Sequence, residues 1–144
     1  MITIKLEDKI KNFNFKNSYD EIINIKELLN KKNLIIVFYP KELFKHNILD
    51  LQSYQEALPE IHKLNTDLVL ITDGNKEEVK EIIHENFLEY QVLIDNEKKL
   101  SYCTTFVVKS NGEIVLSYID KDNTNKLSPE EALDSLRNDK NRQN

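Results

Sequence analysis

The sequence predicts an α/β domain: a central mixed β-sheet flanked by helices on both faces, with an N-terminal β-hairpin. Three observations carry this prediction. Leu34-Ile35-Ile36-Val37-Phe38 and Asp67-Leu68-Val69-Leu70-Ile71-Thr72 are continuous runs of β-formers rather than alternating ones, as strands buried on both faces require. Between and after them apolar residues recur at helical spacing, which gives a βαβα order. An Asn-Gly pair then joins two further apolar strands, so an antiparallel hairpin completes the sheet.

Each element follows in order from its residues. Phe13-Asn14-Phe15 and Ile23-Asn24-Ile25 alternate apolar and polar around the turn-forming Asn17-Ser18-Tyr19-Asp20, a hairpin pattern. The Leu34–Phe38 strand stops at Pro40, which has no amide to give a ladder. From Asn47 to Leu64 a crossover helix places Leu51, Tyr54, Leu58, Ile61 and Leu64 on one face, with Asp50, Gln55, Glu56, Glu60 and Lys63 outward. Pro59 inside it predicts a kink or break at Leu58. The second buried strand ends at Asp73-Gly74, and Val79, Ile82, Ile83 and Phe87 form the inner face of the next helix. A short strand from Gln91 to Ile94 precedes the pair Thr105-Phe106-Val107-Val108 and Glu113-Ile114-Val115-Leu116-Ser117-Tyr118, joined across Lys109-Ser110-Asn111-Gly112. Ser128-Pro129-Glu130-Glu131 supplies an N-cap, a proline at the first helical position and a capping-box glutamate, opening a helix through Leu133 and Leu136. The order suits a thioredoxin-like fold, one domain over residues 1–138 with a frayed tail at 139–144.

Composition narrows function by exclusion. At 144 residues and 17.0 kDa, with 40% hydrophobic and 31% charged residues, the chain can bury one core and is not disordered. Twenty basic against twenty-five acidic residues, intermixed, leave −5 and no nucleic-acid footprint. No apolar run approaches bilayer length, and Met1-Ile2-Thr3-Ile4-Lys5 lacks a signal peptide's basic start and apolar centre. A soluble cytoplasmic protein without a membrane partner is expected. Cys103 is the sole cysteine, which excludes an intrachain disulfide, a CxxC pair and a cysteine-rich zinc site. His46, His62 and His84 lie on separate segments without metal-ligand spacing, and Asp73-Gly74-Asn75-Lys76 is a turn rather than a phosphate cradle. No metal and no cofactor are expected. Lys31-Lys32 and Lys98-Lys99 read as solvated loop charges.

Asp8-Lys9, Phe13-Asn14-Phe15-Lys16-Asn17-Ser18 and Leu34 through Tyr39-Pro40-Lys41 together resemble the opening of peroxiredoxins of the alkyl hydroperoxide reductase C / thiol-specific antioxidant group. The resemblance continues through Tyr54 to Leu64, Leu68 to Thr72, Val92-Leu93-Ile94-Asp95 and Thr105-Phe106-Val107-Val108 with Asn111-Gly112. It implies a loop of the form Pro-x-x-x-Ser/Thr-x-x-Cys at a helix start, where the positive end of the helix favours the nucleophilic thiolate. It further implies an arginine near the later strand that stabilises charge developing on the peroxide oxygen. Pro40 matches, but Phe44 falls at the hydroxyl position, Asn47 at the cysteine position and Cys103 at the arginine position. An amide nitrogen or oxygen does not make the two-electron attack that a thiolate makes, and a phenyl ring neither donates nor accepts a hydrogen bond.

Each of these residues admits two readings. Asn47 is a helix cap accepting from free backbone amides, or a polar ligand contact. Phe44 closes the vacated pocket with apolar surface, or forms the wall of an apolar site. Cys103 is an inert buried thiol, or a relocated redox thiol able to form a sulfenic acid or mixed disulfide with an external thiol protein. The leading expectation is a peroxiredoxin-like protein without peroxidase chemistry, acting as a binding or regulatory module. The alternative is a one-cysteine thiol oxidoreductase using Cys103. The resemblance also implies a homodimer.

Overall fold

The computed structural model describes residues 14–29, 31–95, 102–120 and 127–142. Their elements run β1 (Asn14–Asn17), β2 (Ile22–Asn24), α1 (Ile25–Leu28), β3 (Asn33–Phe38), α2 (Lys41–His46), α3 (Ile48–Lys63), β4 (Thr66–Thr72), α4 (Lys76–Asn86), β5 (Gln91–Ile94), β6 (Cys103–Val108), β7 (Ile114–Asp120) and α5 (Pro129–Arg142). Phe13, Lys98 and Lys99 lie outside the described residues.

Seven strands form one mixed sheet in the order β2-β1-β5-β4-β3-β6-β7. The buried runs recognised in the sequence, β3 and β4, lie side by side and parallel, with Leu34 opposite Asp67 and Phe38 opposite Ile71. β5 continues the parallel set beside β4, and β6 joins β3 antiparallel with Phe38 opposite Thr104. Alternation along β3 and β4 divides the core. Ile35, Val37, Leu68 and Leu70 face Leu51, Tyr54, Leu58 and Ile61 of α3, Val79 of α4 and Leu133 and Leu136 of α5. Leu34, Ile36, Val69 and Ile71 face Ile25 and Leu29 on the opposite side. Full burial of each such aliphatic side chain stabilises the fold by roughly 1.5–3 kcal/mol.

Local signals place the ends. Gly112 takes φ +93 in the β6–β7 turn, where its amide donates to the Lys109 carbonyl at 2.8 Å, a conformation that a side chain would strain. At α5 the Ser128 hydroxyl accepts from the Glu131 amide while Glu131 accepts from the Ser128 amide, both at 3.1 Å, so the capping box forms as the sequence predicts. The hairpin is tied to α4 by Lys76 on Asp20 at 2.9 Å and by Lys80 lying 4.8 Å over the Tyr19 ring.

Four expectations need correction. Of the kink or break expected at Leu58, the break does not occur: the crossover helix runs from Ile48 to Lys63 with Pro59 inside it. Ile25 is not the end of a strand: the Asn24 side chain accepts from the Glu27 amide and starts a helix there instead. Asp50 does not point outward but receives the Tyr39 hydroxyl. Phe87 does not join the inner face of α4. It sits past the helix end with φ 52, and the Leu88 amide returns to the Ile83 carbonyl at 3.1 Å, so Leu88 turns inward and Phe87 is 81% exposed. A left-handed backbone costs a phenylalanine about 1–2 kcal/mol. Phe87→Gly is therefore expected to raise stability by about 0.5–1 kcal/mol, after the greater freedom glycine gains in the unfolded chain, as checked by urea denaturation.

Candidate functional site

The C-terminal end of β3, the short helix α2, the start of α3 and the start of β6 meet at one end of the sheet. Tyr39 is fixed there by its amide, which donates to the Ile71 carbonyl at 2.7 Å. Pro40 then opens α2 without a side chain able to cap it, and Asp73, at the end of β4, accepts from the Lys41 amide at 2.8 Å in its place. The turn residue Asp73 thus serves the next element over.

Asn47 stands before α3, the helix start the sequence predicts, but it also ends α2, a helix the sequence reading does not include, and its side chain works in that other direction. It makes no cap bond to α3; its Nδ2 donates to the Leu43 carbonyl at 3.0 Å, beside its own amide's bond to that carbonyl at 2.9 Å. The side chain completes the end of α2 rather than accepting at the start of α3. Phe44 is 2% exposed and stands edge-on to Tyr39, with ring centroids 6.5 Å apart at 73°. It belongs to the core on this face of the sheet.

Beneath α3 lies a buried polar cluster that the sequence reading does not anticipate. The Tyr39 hydroxyl donates to Asp50 Oδ2 at 2.9 Å, and the Tyr90 hydroxyl donates to the Leu51 carbonyl at 2.9 Å. Tyr54 packs edge-on to Tyr90, with ring centroids 6.4 Å apart. The i, i+4 spacing of Asp50 and Tyr54 puts both on one helix face, which is the signal that could have found the cluster. Burial pushes all three phenols well above the ordinary tyrosine range, with the Asp50 carboxylate adding to the effect at Tyr39 and Tyr54.

Cys103 starts β6 at this same end, 5% exposed within the same core. It belongs to the same buried cluster as Tyr39 and Tyr54, and its neighbour Thr104 pairs with Phe38, the residue before Tyr39. Pro40, Phe44, Asn47 and Cys103 are therefore all found at this end of the sheet. The histidines are not brought there as a set: His62 lies at the far end of α3, 3.5 Å from Asp67. Among the described residues no three His, Cys, Asp or Glu side chains form a metal-binding group. No described helix is long and apolar enough to cross a membrane.

The mixed sheet with its parallel centre and flanking helices is a thioredoxin-like fold. Within that class the chain belongs to the AhpC/TSA family, which it matches over residues 6–117. Two Helicobacter pylori proteins named as bcp peroxiredoxins are 29% and 31% identical to it, over 62% and 60% of this chain. The chain spans 58% and 57% of the length of those relatives. Among solved structures it is similar to the peroxidoxin BcpB of Mycobacterium tuberculosis, with a TM-score of 0.75 and 15% identity over 88% of this chain and 92% of that one. It is also similar to the Xanthomonas campestris bacterioferritin comigratory protein, with a TM-score of 0.74 and 13% identity over 95% and 96%. At such identities the structural likeness speaks to fold.

Proposed function

We propose that this AhpC/TSA-family chain carries no thiol-peroxidase activity and acts, in the redox setting of its family, as a binding or regulatory module. One observation carries the reading. At the junction where the resemblance calls for a nucleophilic sulfur, Asn47 spends its amide on the Leu43 carbonyl at 3.0 Å, and Phe44 fills the adjoining space. Pro40 is the one position of the four-residue pattern that keeps its type.

The alternative assigns redox work to Cys103 with an external thiol protein. Its place at the start of β6, at the same end of the sheet as Asn47, favours that role, while its burial opposes it. Turnover of hydrogen peroxide with a thiol reductant, measured for the wild type and for Cys103→Ser, separates the two. No turnover above the buffer rate is expected in either protein. Turnover that Cys103→Ser abolishes would establish the alternative. We further read the protein as a cytoplasmic homodimer; the seven-residue edge strand β7, with Ile119 partly exposed, supports association through that edge. Sedimentation velocity checks this, with a dimer expected and a monomer at every concentration contradicting it.

A further inference from the structure

The first turn of α3 and the turn after α4 carry apolar side chains that take no part in the bonds of Asn47 or the packing of Phe44. Leu49 is 80% exposed and Phe87 is 81% exposed, two large apolar side chains left in water. Two hydrogen bonds tie together the segments that bear them. Gln52, one turn beyond Leu49, donates to Asn86 Oδ1 at 3.1 Å, and Asn86 immediately precedes Phe87. One turn further along, Gln55 Oε1 accepts from the Glu89 amide at 2.7 Å. Neither packing nor backbone preference accounts for a phenylalanine at position 87, because the side chain is solvated and φ is 52.

The two elements are also charged one way. Residues 48–63 and 76–89 hold eight Asp and Glu against three Lys, a balance of −5 that equals the net charge of the whole chain. Each of those lysines is already engaged: Lys63 with Glu60 at 3.2 Å, Lys76 with Asp20 at 2.9 Å, and Lys80 over the Tyr19 ring at 4.8 Å. Glu56 on α3, Glu81 and Glu85 on α4 and Glu89 in the turn after it remain exposed. Such a face repels a copy of itself and repels anionic lipid, whereas a cationic apolar surface complements it.

We propose that Leu49 and Phe87 are the anchors of a docking surface on α3 and α4 for a basic amphipathic helix of a partner protein. The apolar stripe of such a helix would cover the two anchors, and its lysines or arginines would meet the glutamates around them. The inference stands on this face alone and does not depend on whether peroxidase chemistry is absent.

The test is a titration with a synthetic helical Leu/Lys peptide and its Leu/Glu counterpart, followed by fluorescence anisotropy at low and high salt and by backbone amide NMR shifts. The Leu/Lys peptide is expected to bind the wild type at least tenfold more tightly than Leu49→Ser or Phe87→Asn, and more weakly as salt rises. Shifts should concentrate at residues 49–56 and 84–89, and the Leu/Glu peptide should not bind. Phe87→Asn suits a left-handed backbone, so its thermal midpoint should equal or exceed that of the wild type; Glu85→Lys should weaken binding while leaving both anchors in place. The proposal is overturned by equal binding to the anchor variants, by shifts mapping elsewhere or by no binding to the wild type. Sedimentation showing self-association that Phe87→Asn abolishes would overturn it too, by assigning the face to a second copy, as would wild-type binding to anionic phospholipid vesicles lost in the same variant.

Discussion

Raising the pH above about 10 is expected to unfold this protein in one cooperative step, because three buried phenols cannot ionise in place. Burial holds the folded-state pKa values of Tyr39, Tyr54 and Tyr90 above the ordinary value. Below that ordinary value both states keep the protons and the fold has its full stability. Above it the unfolded chain releases protons that the folded chain retains, so stability falls as pH rises toward the folded-state values. The slope is about 1.4 kcal/mol per pH unit for each group, up to about 4 kcal/mol per unit for the three together. Against a total stability of about 5–15 kcal/mol, about one to four pH units exhaust the fold. Phenolate absorbance from these tyrosines and loss of far-ultraviolet dichroism should coincide, and Tyr54→Phe should make the pH dependence shallower by about a third. Phenolates forming near pH 10 in a chain that stays folded would contradict the buried cluster.

Phe44→Ala should cost about 3–5 kcal/mol, since it removes a fully buried ring and leaves a cavity against Tyr39. At about 2–4 °C per kcal/mol for a chain approaching 150 residues, the thermal midpoint should fall by roughly 10 °C. The variant should gain no peroxidase activity, because Asn47 still stands at the helix junction. A loss under about 1 kcal/mol would mean that the ring leaves the core readily and that the pocket is not closed.

Much of the architecture was legible because it follows from apolar pattern. Leu34–Phe38 and Leu68–Ile71 read as doubly buried strands, and they are the parallel centre of the sheet. Ser128 and Glu131 announced their own helix start. The misreadings share a cause, which is that one side chain can satisfy a need on either of two neighbouring elements. Asn24 could continue a strand or cap a helix, and it caps. Asn47 could cap α3 or finish α2, and it finishes α2. Phe87 fits the helical period, but the left-handed turn sends Leu88 inward in its place. Pro59 lies within α3, and packing of Leu58 and Ile61 in the core overrides the break its missing amide predicts. The tyrosine cluster was hidden because Asp50 reads as an outward charge until Tyr39, eleven residues away on another element, is placed against it.

The measurement that bears most directly on the proposed lack of peroxide chemistry is trapping of sulfenic acid on Cys103. Wild-type protein is treated with hydrogen peroxide and dimedone, folded and in urea, and its intact mass is followed over time. The burial of Cys103 and the amide at position 47 predict that the folded chain keeps its thiol under conditions that label the unfolded chain. A dimedone adduct forming on the folded chain faster than on the unfolded one would contradict the account.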